Sequence, residues 1–306
     1  MDREGWLDWL RRIKAQVRLD APMRDRTSYG IGGSADAWVV PEGLESLQKV
    51  LSRGNADRIP IRVVGGGTNL LVADRGIRGI VITLGKGFDE IKVLSRTADG
   101  GVVYAGAGAQ VGDLLRRAAE SDLGGLEFLA GVPGTVGGAL VMNSGTSTEF
   151  IGDAVESVEV VDGEGRFWLV SGREVEFGYR RTVYPVAGAI VGGSFRMRNR
   201  PRKEILGDIR RRVRERRDTQ PLSQPSAGSV FKNLPGESAG RLIEEAGLKG
   251  LRVGDAEVSD VHANFIVNRG QATAQDVERL VREIQRRVGA ELELEIHRVG
   301  EPNDDV

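Results

Sequence analysis

Glycine clusters standing where apolar runs end constrain this chain more than any other feature. Ile61 Arg62 Val63 Val64 runs straight into Gly65 Gly66 Gly67 Thr68 Asn69 Leu70 Leu71, so an apolar strand is followed at once by backbone without side chains. Taken alone, such a loop reads more often as a tight turn than as a cradle that points several backbone N–H groups at a pyrophosphate. A second cluster, Gly131 Val132 Pro133 Gly134 Thr135 Val136 Gly137 Gly138 Ala139, is too long for a simple turn and lies in an otherwise apolar stretch. It implies close backbone contact with something flat or phosphorylated. The G-x-G-x-x-G fingerprint is absent, because Leu70 takes the third glycine position in the first cluster and Val111 takes it after Gly106 Ala107 Gly108. That argues against a Rossmann dinucleotide domain.

The pattern around the clusters alternates short strands with helices. Trp6, Trp9, Leu10, Ile13 and Val17 recur at three- and four-residue steps and predict a short amphipathic N-terminal helix within residues 1–23. Ala37 to Val40, Leu44 to Leu51 and Ile61 to Val64 read as strand, helix and strand. Val102 to Ala107 with the helix Gly112 to Ser121 opens a second α/β layer, continued by Val155 to Val161 and Phe167 to Val170 around the hairpin turn Asp162 Gly163 Glu164 Gly165. A boundary is expected near residue 200, before an Arg-rich segment and the loop Thr219 to Ser226. The last unit predicts a helix Ala239 to Ala246, a strand Ala263 to Val267, a helix Ala274 to Val288 capped by Thr273 with Asp276, and a closing strand Leu292 to Val299.

Composition narrows the chemistry. The 43 Lys and Arg balance 44 Asp and Glu, so no global field favours nucleic acid or anionic lipid. The basic run Arg210, Arg211, Arg212, Arg214, Arg216, Arg217 reads as a solvated helix offset by Asp208, Glu215 and Asp218. With no Cys and only His262 and His297, thiolate chemistry and Cys-type metal sites are excluded and no metal is expected. His262 reads as packing and His297 as strand surface. No signal peptide and no apolar run of membrane-spanning length is visible, which predicts a cytoplasmic protein with neither membrane nor obligatory protein partner.

Gly65 Gly66 Gly67 Thr68 Asn69, together with Pro133 Gly134 Thr135 Val136 Gly137 Gly138 and the following Met142 Asn143 Ser144 Gly145, resembles the FAD-binding fold of the vanillyl-alcohol-oxidase and p-cresol-methylhydroxylase flavoproteins. A more specific set, Phe177 Gly178 Tyr179 Arg180, Ser226 Ala227 Gly228 Ser229 Val230 Phe231 Lys232 Asn233 and Leu292 Glu293 Leu294 Glu295, resembles the UDP-N-acetylenolpyruvoylglucosamine reductases. The resemblance spans nearly the whole chain, through Thr27 to Gly33, Leu242 to Gly250 and Val258 to Phe265, and is closest to the family's shorter second subtype. It implies an α+β fold: a two-subdomain FAD-binding domain over about 24–200 (subdomains about 24–85 and 86–200) and a C-terminal α+β substrate-binding domain over 201–306. It also implies FAD and NADPH as cofactors. Gly65, Gly66, Gly67, Thr68, Asn69, Leu70, Gly131, Pro133, Gly134, Thr135, Gly137, Gly138 and Asn143 would hold the FAD.

By the same resemblance the substrate is UDP-N-acetylglucosamine enolpyruvate, reduced to UDP-N-acetylmuramate for peptidoglycan precursor. Hydride reaches the enolpyruvyl methylene carbon, and negative charge develops on the neighbouring carbon and carboxylate. Arg180 is the implied electrostatic stabiliser, since a permanent planar cation suits that charge. Ser229 is the implied proton donor and Glu295 the implied partner of the substrate carboxylate. Tyr179, Lys232 and Asn233 would bind substrate, a point cation and an amide suiting the UDP diphosphate. The residues themselves leave other readings open: Ser229 as a turn or cap, Arg180 as a solvated strand edge, and Glu295 on the solvent face of an alternating strand. An FAD-dependent oxidase of the same fold, and a non-catalytic flavin- or nucleotide-binding regulator, are the competing functions.

Overall fold

The computed structural model describes residues 3–300. The chain divides into two compact units that interleave along the sequence. Among the described residues the first comprises 3–19, 37–66 and 79–214, and the second 20–36, 67–78 and 215–300. The boundary expected near 200 precedes the helix Arg202–Thr219, whereas the units part inside that helix.

The N-terminal helix is shorter than the sequence predicts. It spans Arg3–Leu10, burying Trp6 and Leu10, and the chain then enters a strand, Ala15–Pro22. Val17, assigned to the helix, belongs to this strand. The signal was the alternation of Ala15, Val17, Leu19 and Ala21 with Gln16, Arg18 and Asp20, a period of two that overrides the looser helical spacing. This strand lies at the edge of a four-stranded sheet ordered Ala15–Pro22, Ser34–Pro41, Ile77–Thr83, Ile61–Val64. The last two are parallel, and the helix Leu44–Ala56 connects the second to the fourth.

The first unit's larger sheet is antiparallel and ordered Phe167–Ser171, Val155–Asp162, Gly188–Asn199, Gly100–Gly106, Ile91–Arg96, with Leu123–Gly124 also beside the central strand. The central strand, Gly188–Asn199, has no counterpart among the sequence expectations. Its glycines depress strand propensity, yet the packing requires two of them. A Cβ on Gly192 would meet the Tyr104 hydroxyl at 2.5 Å, and one on Gly188 would strike the Val161 carbonyl. Helices Val111–Glu120 and Val136–Val141 bury Leu114, Leu115, Val136 and Leu140 in the same core as Val158, Val160 and Phe195.

In the second unit, Ser226–Ser229, Phe265–Asn268, Ala256–Val258 and Arg252–Val253 form an antiparallel sheet. The helix Ala274–Val288 packs Ala274, Val277, Leu280, Val281 and Ile284 into the core, a stripe at three- and four-residue steps. The expected Thr273 cap is present: its side chain accepts from the Asp276 N–H. Asp74 adds a second cap, its carboxylate accepting from the Ala274 and Gln275 amides at 2.8 and 3.1 Å.

The closing strand is also corrected. Only His297–Val299 is a strand, parallel to Leu70–Val72, whereas residues 292–296 run irregularly. The physical reason is a change of partner. Lys232 donates its N–H to Glu293 O and Glu295 its N–H to Val230 O, both at 2.8 Å, before the chain turns and His297 N donates to Asn69 O at 2.9 Å.

Candidate active site

Ser229 ends the strand Ser226–Ser229, opposite Phe265. The register shifts between Ser226 and Ser229, and Gly228 sits at φ +77°, a left-handed conformation that only glycine adopts cheaply. This bulge re-aims the strand end. Buried Asn264 fixes the residues beyond it: its carbonyl oxygen accepts from Phe231 N at 2.9 Å and its amide donates to Phe231 O at 2.8 Å. Val230 N also donates to Asn264 O at 2.8 Å. Asn264 was visible in the sequence only as part of the string around His262, with no role attached.

Glu295 lies on the neighbouring segment, half-buried rather than on a solvent face, with its own N–H on Val230 O and its carbonyl accepting from the Asn69 side-chain amide at 3.0 Å. Within the second unit the fold therefore joins three distant pieces of sequence: the end of the first glycine loop, the Ser229 strand and the Glu295 run. Lys232, just past that strand, pairs with Glu293 at 2.6 Å, with side chains 21% and 73% exposed. An exposed carboxylate of this kind holds a lysine by about 1 kcal/mol or less, little enough for a diphosphate to displace it. Asn233 spends its side-chain oxygen on the Ala239 N–H at the start of a helix.

In the first unit the two glycine loops meet. A Cβ on Gly65 would lie 2.7 Å from Thr135 Oγ1 and 3.5 Å from Gly138 Cα, so only bare backbone fits at this junction. Gly131 and Gly134 take φ of +79° and +110°, and Gly66 and Gly131 are exposed. The helix beyond offers less to a phosphate than its position suggests. Val136 N donates to Ala109 O, Gly137 N to Ala107 O and Gly138 N to Thr135 Oγ1. The second loop thus presents side-chain-free backbone more than helix-end donors, which fits a flat cofactor such as an isoalloxazine ring held by contact. Gly67, Thr68, Asn69 and Leu70 fall in the second unit, where Gly67 packs so tightly on the Arg26 carbonyl that no Cβ fits.

Arg180 occupies the turn between strands Glu176–Gly178 and Arg181–Val183, at a left-handed φ of +54°. It is not a loose strand edge. Its Nη2 donates to Gly145 O at 3.2 Å, and its guanidinium lies 4.9 Å from the Tyr179 ring centroid. Tyr179 meets Phe150 edge-on at 6.5 Å. Asn143, expected to touch the cofactor, is 3% exposed and commits its amide to the backbone, donating to Gly178 O at 2.9 Å and accepting from Gly152 N at 3.0 Å. His262 packs as expected, edge-on to Phe265 at 5.0 Å, and burial pushes its pKa down. His297 is exposed on its strand.

Two family models match the chain. A model of the FAD-binding domain matches residues 35–171, and a model of the C-terminal domain of UDP-N-acetylenolpyruvoylglucosamine reductase matches residues 220–299. The fold and site thus define an FAD-containing oxidoreductase of α+β architecture. The UDP-N-acetylenolpyruvoylglucosamine reductase of Moorella thermoacetica is 43% identical over 293 residues, 94% of this chain and 95% of that protein. The Desulfosudis oleivorans reductase is 42% identical over 311 residues, 97% of this chain and 99% of its own. The crystal structure of the Thermus caldophilus enzyme superposes with a TM-score of 0.81 at 41% identity, covering 94% of this chain and 99% of that one. This chain belongs to the UDP-N-acetylenolpyruvoylglucosamine reductase family.

Proposed function

We propose that the chain catalyses its family's reaction, NADPH-dependent reduction of UDP-N-acetylglucosamine enolpyruvate to UDP-N-acetylmuramate, in the cytoplasm as a step toward peptidoglycan precursor. No nucleic acid, membrane or protein partner enters this reading. No helix among the described residues is long and apolar enough to cross a membrane. The observation that carries the proposal is the convergence of the Ser229 strand, the Glu295 run and Asn69 of the first glycine loop through backbone-anchored hydrogen bonds.

The chemistry that FAD supplies when bound is hydride transfer, taken from NADPH and given to the methylene carbon of the enolpyruvyl ether. The protein's residues manage the charge and the proton. Addition of hydride puts an electron pair on the adjacent carbon, delocalised into the carboxylate, and Arg180 is assigned to hold that charge with a guanidinium held through Nη2 by Gly145 O. Ser229 is assigned to deliver the proton that forms the new C–H bond. Glu295 is assigned to orient or polarise the substrate carboxylate and the intermediate, and acts as a donor only when it carries a proton. Lys232, freed from Glu293, and Asn233 are assigned to the diphosphate, with Tyr179 beside the substrate.

An anaerobic titration tests the proposal. The purified protein should be yellow, bleach with NADPH, and regain its colour on addition of the UDP-enolpyruvyl substrate. Colour restored by oxygen alone would make it an oxidase, and failure to bleach would make it a binding protein.

A further inference from the structure

The segment immediately after the second glycine loop grips the hairpin that carries Arg180 at three points and the residue just past it at a fourth. Thr182 Oγ1 and Tyr184 Oη both donate to Leu140 O, at 2.8 and 3.1 Å, using a carbonyl at the end of the helix Val136–Val141. Asn143 Nδ2 donates to Gly178 O at 2.9 Å, and Arg180 Nη2 donates to Gly145 O at 3.2 Å. Asn143 is the centre of this grip. It is 3% exposed and sits at φ +43°, a left-handed conformation that Asn tolerates better than most residues. Its oxygen takes the Gly152 N–H at 3.0 Å, and Gly152 is packed so closely that a Cβ there would lie 2.8 Å from that oxygen and 2.5 Å from the Phe177 ring.

The hairpin itself stores strain, since Arg180 holds φ +54° without being glycine. Such a conformation persists only when neighbours over-determine it. A two-residue turn whose preceding carbonyl is pinned by Asn143 cannot relax by tilting. We propose that Asn143 is a positioning residue that acts through Arg180: it locks the Gly178 carbonyl and thereby fixes where the guanidinium presents its charge. Its amide is committed to backbone on both sides rather than to the cofactor contact that the family resemblance implies for it, and that contact is assigned instead to the glycine-loop residues. The inference rests on the charge-stabilising reading of Arg180, and goes beyond it by naming what holds that residue in place.

The test uses flavin-loaded Asn143→Gly, Asn143→Asp, Arg180→Lys and the double variant Asn143→Gly/Arg180→Lys. Glycine keeps the left-handed backbone and removes both hydrogen bonds. Aspartate keeps the acceptor for Gly152 N but turns the donor to Gly178 O into a repelling oxygen, and so serves where the glycine variant fails to fold. Both single Asn143 variants should retain flavin and be reduced by NADPH within about twofold of the wild-type rate. Reoxidation by substrate should slow by roughly 10- to 100-fold, the scale set by misplacing a catalytic group by an ångström or less. The double variant should reoxidise no more slowly than Arg180→Lys alone, because a residue acting through Arg180 has nothing left to position. Amide exchange at residues 178–183 of the flavin-free protein should rise in the Asn143 variants. Losses that multiply in the double variant, unchanged amide exchange, or loss of flavin on Asn143 substitution would each overturn the proposal. Arg180→Lys reoxidising at the wild-type rate would instead sink the reading of Arg180 on which it rests.

Discussion

Replacing Ser229 by alanine separates the two things a serine at a strand end can do. The backbone of this strand end is held without the hydroxyl: Ser229 pairs with Phe265, Val230 N donates to Asn264 O, and the Asn264 amide brackets Phe231 on both sides. Removing one half-buried oxygen therefore leaves those bonds intact and should cost stability within about 0.5 kcal/mol. The effect on chemistry is of another size. A positioned general acid contributes about 10²- to 10⁴-fold, equivalent to about 2.7–5.5 kcal/mol of barrier. The barrier effect should therefore exceed the stability effect several times over, and it should fall on one half-reaction only. Stopped-flow absorbance resolves the two: Ser229→Ala should be reduced by NADPH at the wild-type rate and reoxidised by the enolpyruvyl substrate about 10²- to 10⁴-fold more slowly. Ser229→Cys should recover part of the loss, since a thiol still donates a proton from a displaced position. Reoxidation of Ser229→Ala at the wild-type rate would show that Ser229 only closes the bulge and that the proton comes from elsewhere.

Arg180→Lys should slow reoxidation far more than reduction, since an ammonium lacks the planar fork that meets a carboxylate on two N–H groups; equal slowing of both half-reactions would count against the assignment. Gly65→Val should purify folded but colourless, because even a Cβ there lies 2.7 Å from Thr135 Oγ1; a full flavin absorbance ratio would contradict the loop junction. Leu280→Ala, on the buried stripe of Ala274–Val288, should lose about 2–5 kcal/mol in urea unfolding, and a smaller loss would mean that the stripe collapses around the gap. Burial depresses the His262 pKa below its ordinary 6.5, beside the Lys249–Glu244 pair. The unfolded chain then takes up the proton first, so the stabilising contribution is complete above that value and is lost as pH falls through it. His262→Gln should flatten the drop in urea midpoint between about pH 7.5 and about pH 5.5; an identical drop in both proteins would place the sensitivity on other groups.

Where sequence and structure agree, the signal was local. The hairpin at Asp162–Gly165, the cap at Thr273 and the apolar stripe of Ala274–Val288 each arise from spacing within a few residues, and each is present. Where they differ, the deciding partner is remote in sequence. The strand Ala15–Pro22 carried its alternation openly, but the tryptophans before it supplied a competing helical period. Gly188–Asn199 could not be read as a central strand, because what makes its glycines favourable is the Tyr104 ring and the Val161 carbonyl. The types of the candidate residues were legible, and the solvent face that alternation alone left open for Glu295 is ruled out by its half-buried position. Its segment pairs with residues 230–232 on one side of Glu295 and with Leu70–Val72 beyond it, and alternation cannot survive a change of partner.

Asn143, Asn264 and Asn268 share a physical logic that a sequence conceals. Each is buried, and each replaces a missing ladder by bonding backbone with both ends of its amide. Asn143 joins Gly152 N to Gly178 O, and Asn264 brackets the N–H and carbonyl of Phe231. Asn268 donates to Tyr29 O at 3.0 Å while accepting from Gly270 N and Ala272 N. The segments they hold are the ones that cannot satisfy themselves: a strained turn, a bulged strand end and glycine-rich loops. A carboxamide of this size donates from one atom and accepts at another, so an ionised aspartate lacks the donor, leucine lacks both, and serine has a single oxygen to span the same gap. In a linear reading an asparagine signals a turn because that is what it does when its partners are local. Here the separations reach 239 residues, and the same chemistry sets the position of the chain at Gly178, before Arg180, and at Phe231, after Ser229.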